Sequence, residues 1–348
     1  MTIYRSYRDV LASLIALLCL WPTISFSQET TQPQDGLITD ETTQAAQRGL
    51  TYLVEQQRED GSFGTSGYKR NVAVSALGGM AWLASGSTPG RGLYGEQIDR
   101  CIDYLLEHTD GQGFIAANDA TSRGPMYGHG FAVLFLCETY GMAKNPDLRD
   151  QLDLAVGLIV NSQNEAGGWR YQPLPSDADL SVTVCQVMAL RAARNAGIAV
   201  PRETIDRAMA YVKGCQNPDG GFRYMLSQTE QESQFARSAA GVVALYNAGI
   251  YQGPELNSGL DYLETFLPSK EKPGRETFYA YGQYYAVQAM WHAGGDRWQR
   301  WYPEIRNELL TRQRQDGSWM DSICPEYGTA MACIVLQVPN NYLPILQR

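Results

Sequence analysis

Residues 313–319 read QRQDGSW, a polar run that ends in Asp-Gly and one large aromatic residue. The same spacing, Gln-x3-Gly-x-aromatic, occurs three more times, and a looser copy lies at Asp110–Phe114. Successive aromatic residues are 51, 55, 53 and 97 residues apart when that copy is counted. A period near 50 indicates one repeated supersecondary unit, with a degenerate copy in the last, doubled interval. The four full copies are Gln57–Phe63, Gln163–Trp169, Gln216–Phe222 and Gln313–Trp319.

Each repeat has two halves that differ in composition. An amphipathic segment with apolar residues at three- and four-residue spacing precedes the turn, as at 48–57, 98–108 and 205–216. A segment rich in Ala and other small residues follows it. The pattern predicts six helical hairpins, each with an outer first helix and a buried second helix. The small-residue segments are 71–86, 130–142, 181–197, 238–249, 281–295 and 327–338.

The turn itself predicts a structural role for its three recurring residues. Gly permits a tight, left-handed backbone after the outer helix. The aromatic residue anchors the hairpin by packing back across it. We expect the Gln side chain to bind free N–H groups at the start of the next helix.

The stretch RGLTYLVEQQREDGSF (48–63) resembles the QW repeat of squalene–hopene cyclases, a repeat class that also occurs in β subunits of protein prenyltransferases. The resemblance covers residues 44–338, and the chain is similar in particular to secreted bacterial prenyltransferase/squalene-oxidase repeat proteins. It implies an all-α fold, an α6/α6 toroid with six inner helices around a central cavity and six outer helices around them. Fold and chemistry are separable in this superfamily, so the reaction needs its own evidence.

The N-terminus predicts export. Arg5 and Arg8 precede an apolar run from Leu11 to Trp21, and small residues at Ser25 and Ser27 suit a cleavage site. We therefore expect a signal peptide at 1–27, a polar linker at 28–43, one toroid domain at 44–348 and a periplasmic or extracellular location. No later segment is apolar for long enough to span a bilayer.

Composition excludes several classes of partner. A formal net charge of −9 argues against nucleic-acid binding. Three scattered His and the absence of Cys-x2-Cys leave no metal-ligand spacing, and we expect no cofactor. Six cysteines follow the signal segment, and buried free thiols are the favoured interpretation. Disulfides between Cys101 and Cys137 or between Cys185 and Cys215 are the alternative.

Two motifs tie this chain to the chemistry of the families that it resembles, and both are incomplete. Class II terpene cyclases use the middle Asp of Asp-x-Asp-Asp as an acid, and this chain reads Asp177-Ala178-Asp179-Leu180. A helix cap at Asp179 or Ser181 is the structural alternative to a functional carboxylate pair. The segment at 272–285 resembles the one that carries the zinc-binding His of protein prenyltransferases, but Ala280 follows Phe278-Tyr279 here. The resemblance therefore implies no prenyltransferase zinc site.

A second internal repeat lies at the start of the buried segments. Tyr127-Gly128-His129, Tyr281-Gly282-Gln283 and Tyr327-Gly328-Thr329 align without gaps, with Thr183 near the equivalent place. In a toroid these positions form a layer around the axis, either a ligand site or a network that closes the centre. As a ligand site, it would hold Tyr281, Gln283, Tyr327, Thr183 and Thr329. The candidate catalytic groups are His129, Tyr127, Asp177 and Asp179.

The predicted function is binding or processing of a neutral or amphiphilic ligand, an isoprenoid- or hopanoid-like lipid or a glycan, in a Tyr-rich cavity. Two alternatives remain open from the sequence. One is an extracytoplasmic enzyme of the polysaccharide lyase or cyclase type, and the other is a structural module for protein interactions.

Overall fold

The computed structural model describes residues 36–117, 124–228 and 232–347, which form twelve α-helices. Six of them are amphipathic and lie on the outside. These are α1 (Asp40–Gln56), α3 (Gly95–Glu107), α5 (Leu148–Asn161), α7 (Arg202–Gly214), α9 (Pro254–Glu264) and α11 (Gly295–Arg312). The six inner helices are α2 (Val72–Leu83), α4 (Pro125–Thr139), α6 (Leu180–Asn195), α8 (Phe235–Asn247), α10 (Tyr279–Ala293) and α12 (Pro325–Gln337).

The inner helices form a closed ring. Each packs on the next inner helix along the chain, and α12 packs on α2 to complete the circle. Each outer helix packs mainly on the inner helix that precedes it in the sequence, whereas α1 packs on α12. The predicted α/α toroid is therefore confirmed, and its closure depends on contacts between the first and the last helices.

Burial follows the two-helix pattern read from the sequence. Every residue of α2 except Ala73 is buried, and every residue of α12 except Pro325 is buried. A helix that is apolar on all sides is stable only when all its faces are covered, which is the situation of an inner helix between two ring neighbours and an outer helix. The amphipathic outer helices bury one face only.

The turn glutamines join neighbouring outer helices. Gln163 Nε2 donates to Gly167 O in its own turn at 2.8 Å and to Thr204 O at the start of α7 at 2.9 Å. The expectation that Gln binds free N–H groups is therefore wrong. A carbonyl oxygen has two lone pairs, so Thr204 O can accept this bond beside its helical one. The corresponding second acceptors of Gln57, Gln216 and Gln313 are Gln97 O, Glu255 O and Ala45 O.

The turn glycine is required by both backbone conformation and space. Gly167 has a φ of +93°, and a Cβ there would lie 2.3 Å from Arg207 O of α7. No L side chain fits that position, because the outer helix passes directly against the turn. The same positive φ occurs at the other turn glycines, Gly61, Gly113, Gly220 and Gly317.

The turn aromatics anchor the hairpins as predicted. Trp169 is buried, and its Nε1 donates to Ile159 O at the end of α5 at 2.7 Å. Trp319 makes the equivalent bond to Leu309 O of α11 at 2.8 Å. The aromatic ring thereby fixes the end of the outer helix over the inner helix that follows.

The fifth hairpin is connected differently. Residues 265–278 link α9 to α10 without a Gln-x3-Gly turn, and ion pairs hold them to α11. Arg275 donates to both carboxylate oxygens of Glu308 at 2.6 and 2.9 Å, and Arg312 pairs with Glu276 at 2.7 Å. Charged side chains thus replace the glutamine bonds at this point of the ring.

Both ends of the toroid sequence are held in place. Helix α1 begins at Asp40, four residues before the predicted domain start, because Thr39 and Thr42 form a reciprocal capping box. The predicted signal peptide at 1–27 lies outside the described residues. Near the other end, Ile345 N donates to Glu138 Oε2 on α4 at 3.2 Å, and Trp291 Nε1 on α10 donates to Leu346 O at 3.0 Å. Among the described helices, none combines the length and apolarity needed to cross a bilayer.

The cysteines that follow the predicted signal segment are all buried and free. The favoured interpretation as thiols is confirmed, and the alternative pairings Cys101–Cys137 and Cys185–Cys215 are wrong. Each thiol packs in the core, where burial raises the pKa of Cys101 to about 12. Such thiols are inert at neutral pH.

Candidate functional site at the N-terminal ends of the inner helices

Three residues expected around the axis serve the turns instead. Thr183 Oγ1 accepts from Trp169 N at 3.1 Å, and Thr329 Oγ1 accepts from Trp319 N at 3.0 Å. His129 Nδ1 accepts from Ile115 N at 3.2 Å in the same way. These side chains therefore point outward, toward the turns, and the expectation that they face a ligand on the axis is wrong. A buried turn N–H needs an acceptor, and this helix position supplies it.

His129 has both ring nitrogens bound to backbone groups. Its Nδ1 accepts from the turn, so the proton lies on Nε2, which donates to Ala155 O of α5 at 3.1 Å. Burial lowers the pKa of His129 to about 4, so the ring is neutral at physiological pH. With no face free for a substrate, the contacts assign His129 a structural role.

Gln283 occupies the same helix position but has no such bond. Its side chain is 1% exposed, and neither Oε1 nor Nε2 has a hydrogen-bond partner among the described residues. The reason is the fifth connection, which offers no turn N–H to this position. Gln283 also lines a cavity of about 190 Å³ between α10, α11 and α12, away from the axis.

The tyrosines of the second repeat do lie near the axis. Tyr281 on α10 is close enough to Tyr127 on α4 and to Tyr327 on α12 to affect the pKa values of both, although burial is the larger cause of their rise. The Tyr281 and Tyr285 rings are 4.7 Å apart, and neither hydroxyl has a hydrogen-bond partner in the described part of the chain. Aromatic faces and hydroxyls therefore converge at this end of the ring.

Deeper in the ring, side chains meet across the axis. Phe131 on α4 and Tyr284 on α10 belong to helices on opposite sides, yet their ring centroids are 6.2 Å apart in an edge-to-face arrangement. At this level the axis is filled by aromatic rings. Any ligand of the axis is therefore restricted to the end that carries Tyr127 and Tyr281.

Asp179 is a buried carboxylic acid at that end. It is fully buried and caps α6, with its side chain accepting from Val182 N at 2.9 Å. Burial raises the pKa of Asp179 to about 6, although bonds from Val182 and Tyr224 and the charge of Arg170 act in the opposite direction. The capping role expected of Asp179 is confirmed, and its raised pKa is the property that general acids need.

Asp177 lies farther out and is half exposed. It forms an ion pair with Arg170, whose Nε lies 3.5 Å from Asp179 Oδ2. Arg170 thus holds both carboxylates of the Asp177-Ala178-Asp179 sequence from one side. In this arrangement Asp177 offsets the charge of the guanidinium.

Two further tyrosines, which are not among the residues predicted from the sequence, complete the site. The hydroxyls of Tyr171 and Tyr224 are 2.6 Å apart, and the Arg170 guanidinium lies 5.0 Å from the Tyr171 ring centroid. The Tyr171 ring is 6.3 Å from that of Tyr127. A repeated sequence marks these two tyrosines: Gly-Gly-aromatic-Arg-Tyr occurs at 167–171 and again at 220–224.

We define the aromatic mouth as Tyr127, Tyr171, Tyr224 and Tyr281 around Asp179. All four tyrosine side chains are partly exposed, so the mouth is open to solvent. It offers apolar ring faces, several hydroxyls and one carboxyl group that can gain or lose a proton near neutral pH. Within residues 36–117, 124–228 and 232–347, no group of three or more His, Cys, Asp or Glu side chains is placed to hold a metal ion.

Comparisons with known proteins agree on the fold. Residues 129–267 match the prenyltransferase α/α toroid domain. Over 178 residues, 49% of this chain, the sequence is 28% identical to drimenyl diphosphate synthase of Streptomyces showdoensis. That match covers 31% of the synthase, so the chain corresponds to about a third of that enzyme's length.

Solved structures show the same architecture at low identity. The type II terpene cyclase MstE from Scytonema has a TM-score of 0.62 at 14% identity, over 87% of this chain and 99% of MstE. A variant of that cyclase is also known with its substrate, geranylgeranyl dihydroxybenzoate. Cellobiose 2-epimerase from Bacillus thermoamylovorans has a TM-score of 0.65 at 12% identity, over 85% of this chain and 98% of the epimerase. At these identities the likeness shows the fold alone.

Proposed function

Because residues 129–267 match the prenyltransferase α/α toroid domain and the fold is that of a type II terpene cyclase, we propose that the aromatic mouth binds an isoprenoid-type amphiphile and that Asp179 donates a proton to it. The observation that carries the proposal is the buried Asp179 carboxyl, with a pKa of about 6, among four tyrosines at the open end of the ring. Asp179 also occupies the place of the middle Asp in the pattern Asp-x-Asp-Asp.

The walls of the mouth suit an unsaturated hydrocarbon. Tyr127 and Tyr171 present ring faces on one side, and Tyr281 presents its ring from α10. Aromatic faces bury apolar area and attract positive charge, which is the charge that develops when an alkene is protonated. Arg170 is already balanced by Asp177 while Asp179 is protonated, so the site does not require an anionic ligand.

The proton transfer balances without a cofactor. The O–H bond of protonated Asp179 breaks while a C–H bond forms at one alkene carbon, which leaves a carboxylate and a carbocation. Arg170 stabilises the carboxylate, and the ring faces stabilise the cation until it loses a proton elsewhere. Leu180 stands where Asp-x-Asp-Asp has its last carboxylate, so the acid of this chain depends on Arg170 and Tyr224 for its orientation.

We also propose that the protein acts outside the cytoplasm. The support is the signal-peptide pattern of residues 1–27, with Arg5 and Arg8 before an apolar run. An exported protein with this mouth would meet its ligand at or near a membrane. N-terminal sequencing of the protein from its own host would test this, since retention of residues 1–27 on the mature chain would contradict it.

The proposed function is tested by binding and by isotope exchange. Native mass spectrometry of the protein from its own compartment should retain an isoprenoid, and geranylgeraniol should bind the purified chain. In D₂O, Asp179 should introduce deuterium at an alkene carbon of geranylgeraniol. Asp179→Asn should abolish exchange yet keep binding and folding, because Asn caps a helix as well as Asp. Asp153→Asn, at an exposed carboxylate of α5 outside the site, is the control and should leave exchange unchanged.

Two results would reject the proposal. One is exchange that Asp179→Asn leaves unchanged. The other is binding of cellobiose or mannotriose in place of geranylgeraniol, which would instead favour a glycan ligand for the tyrosine hydroxyls.

A further inference from the structure

The cavity beside Gln283 lies outside the aromatic mouth. Gln283 and Tyr281 lie on the same helix, but Tyr281 faces the axis whereas Gln283 faces the space between α10, α11 and α12. The cavity holds about 190 Å³. An apolar cavity of about 150 Å³ is enough to bind benzene, so a small organic molecule fits in this one.

The cavity is lined mainly by apolar side chains, with the Gln283 amide and the Arg312 guanidinium as polar groups. Leu309 from α11, Trp319 from the sixth turn and Met331 from α12 form apolar walls. Gln283 contributes a buried donor and a buried acceptor, neither of which has a partner in the described structure. A buried amide without partners is unfavourable, and a bound molecule with its own hydrogen-bonding group would remove that cost.

The rim of the cavity is electrically balanced. Arg312 lies at the rim, with its guanidinium 4.1 Å from the Tyr279 ring centroid, and it pairs with Glu276 and Glu308. Arg275 also pairs with Glu308, so two cations face two carboxylates. An anionic ligand would have to break these pairs, whereas a neutral ligand would pass them at little cost.

The other hairpins show why this site occurs only at the fifth position among those described. Where a turn is present, the equivalent inner-helix residue accepts from a turn N–H, as Ser75, His129, Thr183, Ser238 and Thr329 do. At Gln283 the turn has been replaced by the ion-paired connection 265–278. The side chain is longer than Ser or Thr, carries both a donor and an acceptor, and is directed into a cavity.

We propose that this cavity is a second ligand site, which binds a small neutral molecule with an apolar body and one hydroxyl group, such as an aryl alcohol. The hydroxyl both donates to Gln283 Oε1 and accepts from Nε2, while the apolar body packs against Trp319 and Met331. This proposal does not depend on the function proposed for the aromatic mouth.

The test compares two probes of the same shape. 2-Phenylethanol and ethylbenzene are titrated into the full chain by calorimetry, and the ligand position is checked by nuclear Overhauser contacts to Met331 methyl protons. 2-Phenylethanol should bind about tenfold more tightly, which corresponds to one buried hydrogen-bonding group. Gln283→Met keeps the volume and removes the amide, so the preference should fall to about one while ethylbenzene still binds.

A filled-cavity variant provides the second arm. Met331→Trp should abolish binding of both probes, and its melting temperature shows whether the fold survives. Equal binding of the probes, a preference that persists in Gln283→Met, or no binding at millimolar concentrations would each overturn the proposal. The last result would mean that ordered water satisfies Gln283. If Gln283→Met does not fold, Gln283→Leu with the same two probes replaces it.

Discussion

The third and fifth hairpins hold the same kind of helix pair together by different means. In the third, Gln163 joins the turn to α7, Gly167 lies against the α7 backbone, and Thr183 accepts from the turn. In the fifth, Arg275 and Glu308 make the link to the next outer helix. The ring therefore needs a contact from each connection to the next outer helix, but it does not need one particular turn. In the fifth hairpin no turn N–H is present for Gln283 to accept from. Its amide therefore has no partner in the described structure and lines a cavity.

The largest expected difference between the two hairpins concerns glycine. Gly167→Ala should destabilise the protein by about 3 kcal/mol or more, because the new Cβ would meet a backbone carbonyl at 2.3 Å in a left-handed conformation. Gly274 in the fifth connection has a φ of +87° but nothing within 4 Å of a Cβ. Gly274→Ala should therefore cost only about 1 kcal/mol. Denaturant midpoints of the two variants measure this, and equal losses would show that contact with α7 is unimportant.

The second expectation concerns acid stability at the polar inner-helix position. His129 has a folded pKa of about 4, below its unfolded value of 6.5, so the unfolded chain binds more protons between these values. Its contribution is fully present above pH 6.5 and is lost as the pH falls to about 4, on the order of 2–3 kcal/mol. His129→Thr introduces the residue found in α6 and α12. The free energy of unfolding of the wild type, relative to that of His129→Thr, should fall by this amount between pH 7 and pH 4. A difference that stays constant over this range would contradict the neutral state assigned to His129.

The third expectation compares the contributions to stability of Gln163 in the third hairpin and Gln283 in the fifth. Gln163→Met removes the donor from two backbone carbonyls and should destabilise the protein by about 1–2 kcal/mol. Gln283→Met removes a buried amide with no partners in the described structure and should raise stability by about 1 kcal/mol or more. Melting temperatures of both variants measured side by side test this. A larger loss at Gln283 would mean that its amide is already satisfied.

The smallest expected effect concerns the ion pairs of the fifth connection. Arg275→Gln should cost about 1 kcal/mol, because the bidentate pair with Glu308 is largely buried but Arg312 still pairs with that carboxylate. Arg149→Gln breaks an exposed pair with Asp153 in α5 and is expected to cost about 0.3 kcal/mol. Free energies of unfolding of the two variants, measured in low and high salt, distinguish the buried pair from the exposed one. If Arg275→Gln is neutral under both conditions, the ion pairs do not replace the glutamine bonds.

The architecture was predictable from the sequence because the turn motif occurs in four full copies and one looser copy. The turn residues Gln163, Gly167 and Trp169 recur at fixed spacing, and the alternation of amphipathic and small-residue segments fixes which helix is buried. The direction of the glutamine bonds was not predictable. That direction depends on which backbone atoms of α7 face the turn, and helix spacing along the chain contains no such information.

The candidate site was predicted only in part. Asp179 and Tyr127 meet at the mouth as expected, whereas His129 faces away. A one-residue step along an inner helix turns a side chain by about 100°, so Tyr127 and His129 face opposite directions although they are two residues apart. Tyr171 and Tyr224 were missed because they follow the turn aromatics in loops, where helical periodicity gives no signal. Their shared Arg-Tyr sequence was the available clue.

The glutamine of the last turn reaches the first helix. Gln57, Gln163 and Gln216 each bond to a helix about 40 residues later, but Gln313 bonds to Ala45 across 268 residues of chain. Long-range loop closure is slower than local closure, so we expect the hairpins to form first as an open arc. That arc cannot close until the sixth hairpin has formed, because α12 supplies the contacts to α1 and α2. Until then, the faces of α1 and α2 that α12 covers in the ring stay exposed, so the incomplete ring is the form of this chain most prone to aggregation.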